Sequence, residues 1–245
     1  KNVKIAFCSY TGKAAQNLKN KLKEAGALSV KDSVSTIHGL IYNPREDSSG
    51  QIAGWDRKEA LERHLIIVDE ASMVDGLIWG DLLSYDIPII AVGDHGQLPP
   101  ISGNFNLMEK PQLLLTQIHR QAAENPIIKV SEFARTTGLV PPGKYGAGVY
   151  KYLKEDSDAQ EKTGELLEAY SPETLILCGY NNTLNRINQF IRANRGYEMP
   201  APGSGDRVIC LRNNRKKGIF NGMLGTITSI APAQKDWYEA EIQLD

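Results

Sequence analysis

LIIVDEASMV, Leu65 to Val74, is the stretch on which the reading of the fold turns. Four apolar residues run directly into two adjacent carboxylates, Asp69 and Glu70. A short continuous apolar run is the pattern of a strand buried on both faces, as in a parallel sheet covered by helices. Acids at the end of such a strand lie where α/β sheets place their chemistry. Two readings follow. In one, Asp69 holds Mg²⁺ through water and Glu70 positions and deprotonates a water beside a bound nucleoside triphosphate. In the other, a strand ends in two solvated acids.

Working outward, the same texture recurs. VKIAFC (Val3–Cys8) and IPIIAVGD (Ile87–Asp94) are further buried strands. GKAAQNLKNKLKEAG between them carries Ala14, Ala15, Leu18 and Leu22 near helical spacing, with Gly26 as a stop. Alternation of strands and helices predicts an α/β domain built on a parallel sheet. Tyr42–Asp56 is polar and turn-rich and reads as a surface excursion. TTGLVPPGKYGAG (Thr136–Gly148) reads as a linker, ETLILCGY (Glu173–Tyr180) as a new strand, and NNTLNRINQFIRANRG as a helix stopped at Gly196. DRVICLRN, GTITSIA and YEAEIQL alternate as β runs, and Asn221-Gly222 marks a tight turn between two of them.

Several motifs sit beside the strand ends. VGDHGQLPPI (Val92–Ile101) offers Asp94 to orient water or a side chain and Gln97 as a two-way hydrogen-bonder able to report a γ-phosphate; it also reads as a Pro/Gly loop with a polar tip. YTGKAAQNL is not a phosphate loop. G-x-x-x-x-G-K-[ST] requires a glycine five positions before Gly12 and a hydroxyl after Lys13, and both are lacking. Thr11, Gly12 and Lys13 at a strand-to-helix turn suit a nucleic-acid phosphate, or form an ordinary Thr-capped helix. STIHGL holds His38, by itself more often structural than functional. QIHRQ places Arg120 after an apolar run, as an arginine finger or a surface ion pair. RNNRKKGIFNG (Arg212–Gly222) mixes cations and amides around a phenylalanine, which suits a phosphate backbone or a solvated face.

The bulk composition narrows the classes. With 245 residues there is room for one large domain or two smaller ones. A net charge of −1 gives no global attraction to nucleic acid, so any binding is local. Cys8, Cys178 and Cys210 form neither a metal spacing nor a disulfide framework, which suits a reducing cytoplasm. No apolar run reaches the length of a membrane span, and the first residues lack the features of a signal peptide. A strand at the very start and an alternation running into the last residue suggest a piece of a longer chain.

The order of the blocks is more specific than any block. TGKAA, TIH, VDEASMV, GDHGQLPPI, LTQIHRQ and then GDRVICLRNN with KGIFNGMLG resemble, from about Lys4 to Ile230, the RecD/Dda-type helicases of superfamily 1. These are bacterial and bacteriophage motors driven by ATP. The resemblance implies a RecA-like P-loop NTPase motor domain over 1–140 without its Walker A start. It further implies a connection over 141–170, the start of a second RecA-like domain over 171–202, and part of an SH3-like β module over 203–245. It implies ATP and Mg²⁺ as cofactors and 5′–3′ movement on single-stranded DNA, with unwinding of forked or tailed duplex in a cytoplasm shared with replication or recombination proteins.

Residue by residue, the match gives Asp69 to Mg²⁺, Glu70 to water activation, Asp94 and Gln97 to γ-phosphate sensing, and Arg120 to the finger. It gives Thr11, Lys13, His38, Arg212, Asn213 and Asn214 to DNA. Cys8-Ser9-Tyr10 stands where the family has Ala-Pro, and the family's Walker A loop and last motifs lie outside this numbering. The stretch near Phe105 is a candidate strand-separating pin. Two other classes compete: a non-catalytic nucleic-acid-binding protein with a degenerate NTPase fold, and a small-molecule P-loop kinase. The joint presence of Asp69, Glu70, Gln97 and Arg120 disfavours the first. The TGKAA, TIH and SH3-like blocks disfavour the second.

Overall fold

A computed structural model of the chain describes residues 3–46, 52–100, 105–115, 125–171, 173–197, 201–211, 217–234 and 237–245. The chain divides into two compact units, one of 1–114 with 207–226 and 242–245, the other of 115–206 with 227–241.

The first unit is built on a four-stranded parallel sheet. β1 (Ile5–Ser9) leads into α1 (Gly12–Glu24), then β2 (Ser33–Thr36) and the single-turn α2 (Ile37–Ile41). β3 (Tyr42–Glu46) and β4 (Ile52–Arg57) form an antiparallel ribbon before β5 (Leu65–Asp69). A 3-10 turn, Ala71–Met73, and α3 (Gly76–Leu83) lead to β6 (Ile89–Ala91). The strand order is β2-β1-β5-β6, with β1 parallel to both β2 and β5, and β5 parallel to β6. Ala6, Cys8, Ile66 and Val68 from the sheet, Ile37 and Ile41 from α2, and Val74 and Leu82 around α3 are buried in one core. Removing an aliphatic side chain of this size from water contributes roughly 1.5–3 kcal/mol, so these side chains set the register of the strands.

Local sequence explains the helix starts. Thr11 caps α1 by accepting from the Ala14 amide at 3.2 Å, and Thr36 caps α2 by accepting from the Gly39 amide at 3.0 Å. The segment Tyr42–Asp56, expected as an irregular excursion, is instead the β3–β4 ribbon. Its polar sequence hid the strands because, Tyr42 and Gly54 apart, the described side chains of the ribbon are exposed.

In the second unit, α4 (Pro126–Thr137) begins at the Asn125 cap and ends on Gly138 in the left-handed region. The expected linker then holds a small hairpin of β7 (Gly143–Gly146) and β8 (Val149–Lys151), followed by α5 (Ser157–Glu168) and α6 (Asn181–Asn194). The run ETLILCGY, expected as a strand, carries no strand pairing among its described residues, and Leu175 and Leu177 are 79% and 83% exposed. Alternation favours an extended backbone, but a strand exists only where a neighbour supplies hydrogen-bonding groups. Late in the chain, and not confined to the second unit, β9 (Arg207–Ile209), β10 (Leu224–Gln234) and β11 (Trp237–Leu244) form a three-stranded sheet of order β11-β10-β9, as the late β runs predicted. Asn221-Gly222 makes the expected turn, with Gly222 at φ 88°.

Burial pushes the Cys8 thiol up to about 12, and Cys178 is exposed. A buried thiol with so little thiolate is inert. Brief alkylation at neutral pH followed by peptide mass spectrometry is expected to label Cys178 at least tenfold faster than Cys8. Equal labelling would show that the β1 core opens readily. The sign of the pH effect follows from the same shift. Folding raises the Cys8 pKa, so its contribution is whole below about pH 9 and is lost as pH climbs toward 12, the unfolded chain shedding its proton first.

Candidate functional site

Parallel pairing aligns the carboxyl ends of the four strands. Ser9 at the end of β1 lies opposite Thr36 of β2 on one side and Asp69 of β5 on the other, and Val68 lies opposite Ala91 of β6. The loops that leave this edge are therefore ordered in space as TIH, TGKAA, DEAS and GDHGQ. In the chain their order is different, with TGKAA first. The sheet has set the two acids between the blocks that carry hydroxyl, lysine and histidine on one side and the glutamine loop on the other.

Asp69 and Glu70 are half-buried. The Asp69 carboxylate accepts from the Glu70 amide at 3.0 Å, which fixes its rotamer at the strand end. Glu70 itself is left-handed, φ 55° and ψ 45°, a conformation that costs a residue other than glycine roughly 1–2 kcal/mol. Such strain gathers at functional sites. The turn it makes runs straight into Ala71, whose amide donates to the Val92 carbonyl at 2.9 Å, while the Val92 amide donates to Val68 at 2.8 Å. These two bonds bolt the acidic turn to the root of the glutamine loop. Gly93 makes that approach possible. A Cβ there would fall 2.6 Å from Met108 Sδ, 3.0 Å from the Ser72 amide nitrogen and 3.3 Å from that of Ala71.

Beyond Gly93, the Asp94 carboxylate accepts from the Gly96 amide at 2.9 Å, and the Asp94 carbonyl accepts from the Gln97 amide at 3.0 Å. The half-buried Asp94 thus shapes the loop whose exposed tip carries Gln97.

The donor set fits Mg²⁺ with a nucleotide. Mg²⁺ takes one or two carboxylates and keeps water and phosphate oxygens for the rest, so a single carboxylate such as Asp69 would suffice as its protein contact. No group of three or more His, Cys, Asp or Glu able to hold a metal occurs among the described residues. The buried hydroxyls Ser9 Oγ, at the strand end beside Asp69, and Ser72 Oγ, two residues after Glu70, have no protein partner. Buried polar groups are almost always hydrogen-bonded, so these two are free to serve a bound molecule or its waters.

On the other flank, Thr11 and Lys13 are exposed at the start of α1 and His38 is half-buried in α2. The His38 ring lies 5.4 Å from that of Tyr42 and 6.0 Å from that of Trp55, which is 45% exposed on β4. Tyr42 and Trp55 were missed from sequence; the available signal was two aromatics spaced around a polar, turn-rich stretch just after TIH. Phe105 packs against Gly76 at the start of α3, where a Cβ would lie 3.4 Å from the ring. It therefore lies against the start of α3 in the first unit.

The β9–β10 turn reaches the same flank. A Cβ on Gly222 would lie 3.9 Å from Lys13 Cβ. Nearby, Arg207 grips Asp245 through two bonds of 2.6 and 2.5 Å. Arg207 chiefly, and Lys13 in addition, hold that carboxyl below its usual range. Arg120, Arg212, Asn213 and Asn214 lie outside the described residues. No helix among the described residues is long and apolar enough to cross a membrane.

Residues 1–103 match the family described as AAA domain. The chain is 27% identical over 244 residues to the ATP-dependent RecD2 DNA helicase of Deinococcus radiodurans, an alignment covering 92% of this chain and 32% of that protein. It is 28% identical over 199 residues to the RecBCD enzyme subunit RecD of Buchnera aphidicola subsp. Schizaphis graminum, covering 72% of this chain and 32% of that subunit. The chain therefore spans about a third of the length of these curated relatives. In fold it resembles the Pif1 helicase from Bacteroides crystallised with ADP-AlF3 and ssDNA, with a TM-score of 0.56 and 20% identity, covering 100% of this chain and 63% of that one. Bacteroides Pif1 bound to ssDNA gives a TM-score of 0.52 at 20% identity, covering 100% of this chain and 68% of that one. The chain is thus similar in sequence to RecD-type helicases and shares its fold with the Pif1 structures.

Proposed function

We propose that this chain is the segment of an ATP-dependent DNA helicase that handles the nucleotide on one side of a sheet edge and grips single-stranded DNA on the other. The observation that carries the reading is the convergence of TIH, TGKAA, DEAS and GDHGQ along the carboxyl edge of one parallel sheet. A hydrolytic pair lying between a DNA-type flank and a phosphate-sensing loop has the layout a motor needs and a simple binding protein does not.

In this reading Asp69 holds Mg²⁺ through water, and Glu70 takes the proton of the attacking water. Gln97 bonds the γ-phosphate while Asp94 keeps its loop in shape, and Arg120 neutralises charge as the bond breaks. When bound, Mg²⁺ and ATP supply the reactive phosphoanhydride and the neutralisation of its oxygens. Thr11 and Lys13 hold DNA phosphates, with Arg212, Asn213 and Asn214 on the same strand. His38 and Trp55 stack on bases, Tyr42 packing beside them, and the β3–β4 ribbon divides the strands of forked or tailed duplex. Movement runs 5′ to 3′, in the cytoplasm of a bacterial cell or phage-infected host, alongside replication or recombination proteins.

The test is ATP turnover by the full-length protein with and without single-stranded DNA, with stimulation of tenfold or more expected. The 245-residue chain alone, which carries no G-x-x-x-x-G-K-[ST], is expected to turn over none. Stacking of a base on an aromatic side chain contributes roughly 1–3 kcal/mol. Trp55→Ala in the full-length protein is therefore expected to weaken binding to single-stranded DNA about tenfold at fixed salt. Absence of ATP turnover by the full-length protein, with DNA binding intact, would instead favour a non-catalytic DNA-binding protein.

A further inference from the structure

The end of α3 holds the root of the β3–β4 ribbon and the end of α2 in one hydrogen-bonded knot. The Tyr85 hydroxyl lies 2.8 Å from the Lys58 carbonyl and 3.1 Å from the Ile41 carbonyl, and donates to this pair. The Lys58 amide donates to the same Ile41 carbonyl at 2.9 Å. Lys58 Nζ donates to the carbonyls of Gly39 and Leu40 at 2.9 and 2.8 Å, closing the open C-terminal end of the helix that carries His38. The Tyr42 hydroxyl, at the first residue of the ribbon, donates to the Asp81 carboxylate on α3. Arg57, the last residue of the ribbon, bonds Ser84 Oγ and lies over the Tyr85 ring at 5.7 Å. Burial and the Asp81 carboxylate raise the Tyr42 pKa, and burial raises that of Tyr85, so both hydroxyls keep their protons at neutral pH.

The other end of α3 is tied to the acidic turn. Asp75 caps the helix by accepting from the Ile78 amide at 2.9 Å, and only the 3-10 turn Ala71–Met73 and Val74 separate that cap from Glu70. Val74 and Leu82, fully buried, key the helix into the sheet core along its length. An element packed this closely transmits strain rather than absorbing it.

We propose that α3 is a coupling rod. Tyr85 and Lys58 act as positioning residues that lock the His38 helix and the β3–β4 ribbon to the Glu70 turn, so that a change at the nucleotide is delivered to the DNA-gripping block. The proposal rests on the helicase reading above. Neither residue is given a nucleotide or DNA contact in that reading. Their effect lies in how much work is obtained per ATP, not in how fast ATP is hydrolysed.

The test is the number of base pairs opened per ATP in the full-length protein, measured on a tailed duplex beside ATP turnover at saturating single-stranded DNA. Tyr85→Phe removes one hydroxyl and Lys58→Met removes one ammonium while keeping the stem. For each, ATP turnover is expected to stay within about twofold of the parent while base pairs opened per ATP fall at least fivefold. A merely structural role would lower both activities in parallel through loss of folded protein, and that result overturns the proposal. So does a parent-like ratio in both variants. A parent protein that turns over ATP without responding to DNA overturns the helicase reading and the coupling with it, so the two failures are told apart by the parent alone.

Discussion

Replacing Glu70 by glutamine is expected to lower DNA-stimulated ATP turnover of the full-length protein by about 10²–10⁴-fold, the usual contribution of a positioned general base. The change removes one proton acceptor and almost nothing else. Glutamine has the size of glutamate, and the Glu70 side chain makes no capping bond to the following turn. The left-handed backbone at φ 55° is held by its surroundings, through the Ala71 amide on Val92 and the Glu70 amide on Asp69. The variant is therefore expected to unfold within about 0.5 kcal/mol of the parent and to bind nucleotide as the parent does. Single-turnover kinetics at saturating ATP and DNA separate these effects. A variant that hydrolyses ATP at the parent rate removes Glu70 from the chemistry.

Gly93→Ala is expected to have the largest effect on stability and to lower activity as well. Ordinary Cβ contacts lie beyond about 3.4 Å, whereas a Cβ at Gly93 would lie 2.6 Å from Met108 Sδ and 3.0 Å from the Ser72 amide nitrogen. The Met108 side chain can swing away. The Ser72 backbone cannot, because Ala71 is bonded to Val92 just past the end of β6. Overpacking of this kind costs typically 1–3 kcal/mol. Pushing the two loops apart also separates Gln97 from the Glu70 turn, so turnover should fall by at least tenfold in protein that remains folded. Denaturant unfolding of the 245-residue chain and turnover by the full-length protein read the two effects separately. Gly80, in the middle of α3, is the internal control, because a Cβ there meets nothing within 4 Å. Gly80→Ala is expected to stabilise by about 0.5–1 kcal/mol, since alanine loses less backbone freedom in a helix. Equal responses at the two glycines would show that the close approach at Gly93 carries no cost.

The features legible in sequence share one property: each is decided within a few residues. The apolar run Leu65–Val68 needs only its own side chains to declare a strand, and it is one, with Ile66 and Val68 fully buried and Leu65 and Ile67 half-buried. Thr11 declares a cap because its hydroxyl reaches an amide three residues on, and Asn221-Gly222 declares a turn because glycine accepts a positive φ. The features that were not legible depend on partners distant in sequence. The β3–β4 ribbon reads as a polar loop because no apolar face marks its strands. ETLILCGY reads as a strand, yet without a neighbouring strand its alternation does not yield one. Tyr85 and Lys58 give no signal, since a tyrosine and a lysine in a turn take their meaning from carbonyls 18 to 44 residues away.

From the sequence alone came the parallel α/β class, the acidic pair at a strand end, the cation and amide blocks, and a block order that resembles one helicase family. These follow from side-chain period and from residues adjacent in the chain. Only the tertiary structure decided that β1 lies between β2 and β5, that DEAS therefore comes to lie between TGKAA and GDHGQ, and that α3 joins the acidic turn to the ribbon. The physical reason is that a strand's period sets which side chains are buried, while the choice of neighbour depends on hydrogen bonds and packing across the whole core, which no local stretch contains.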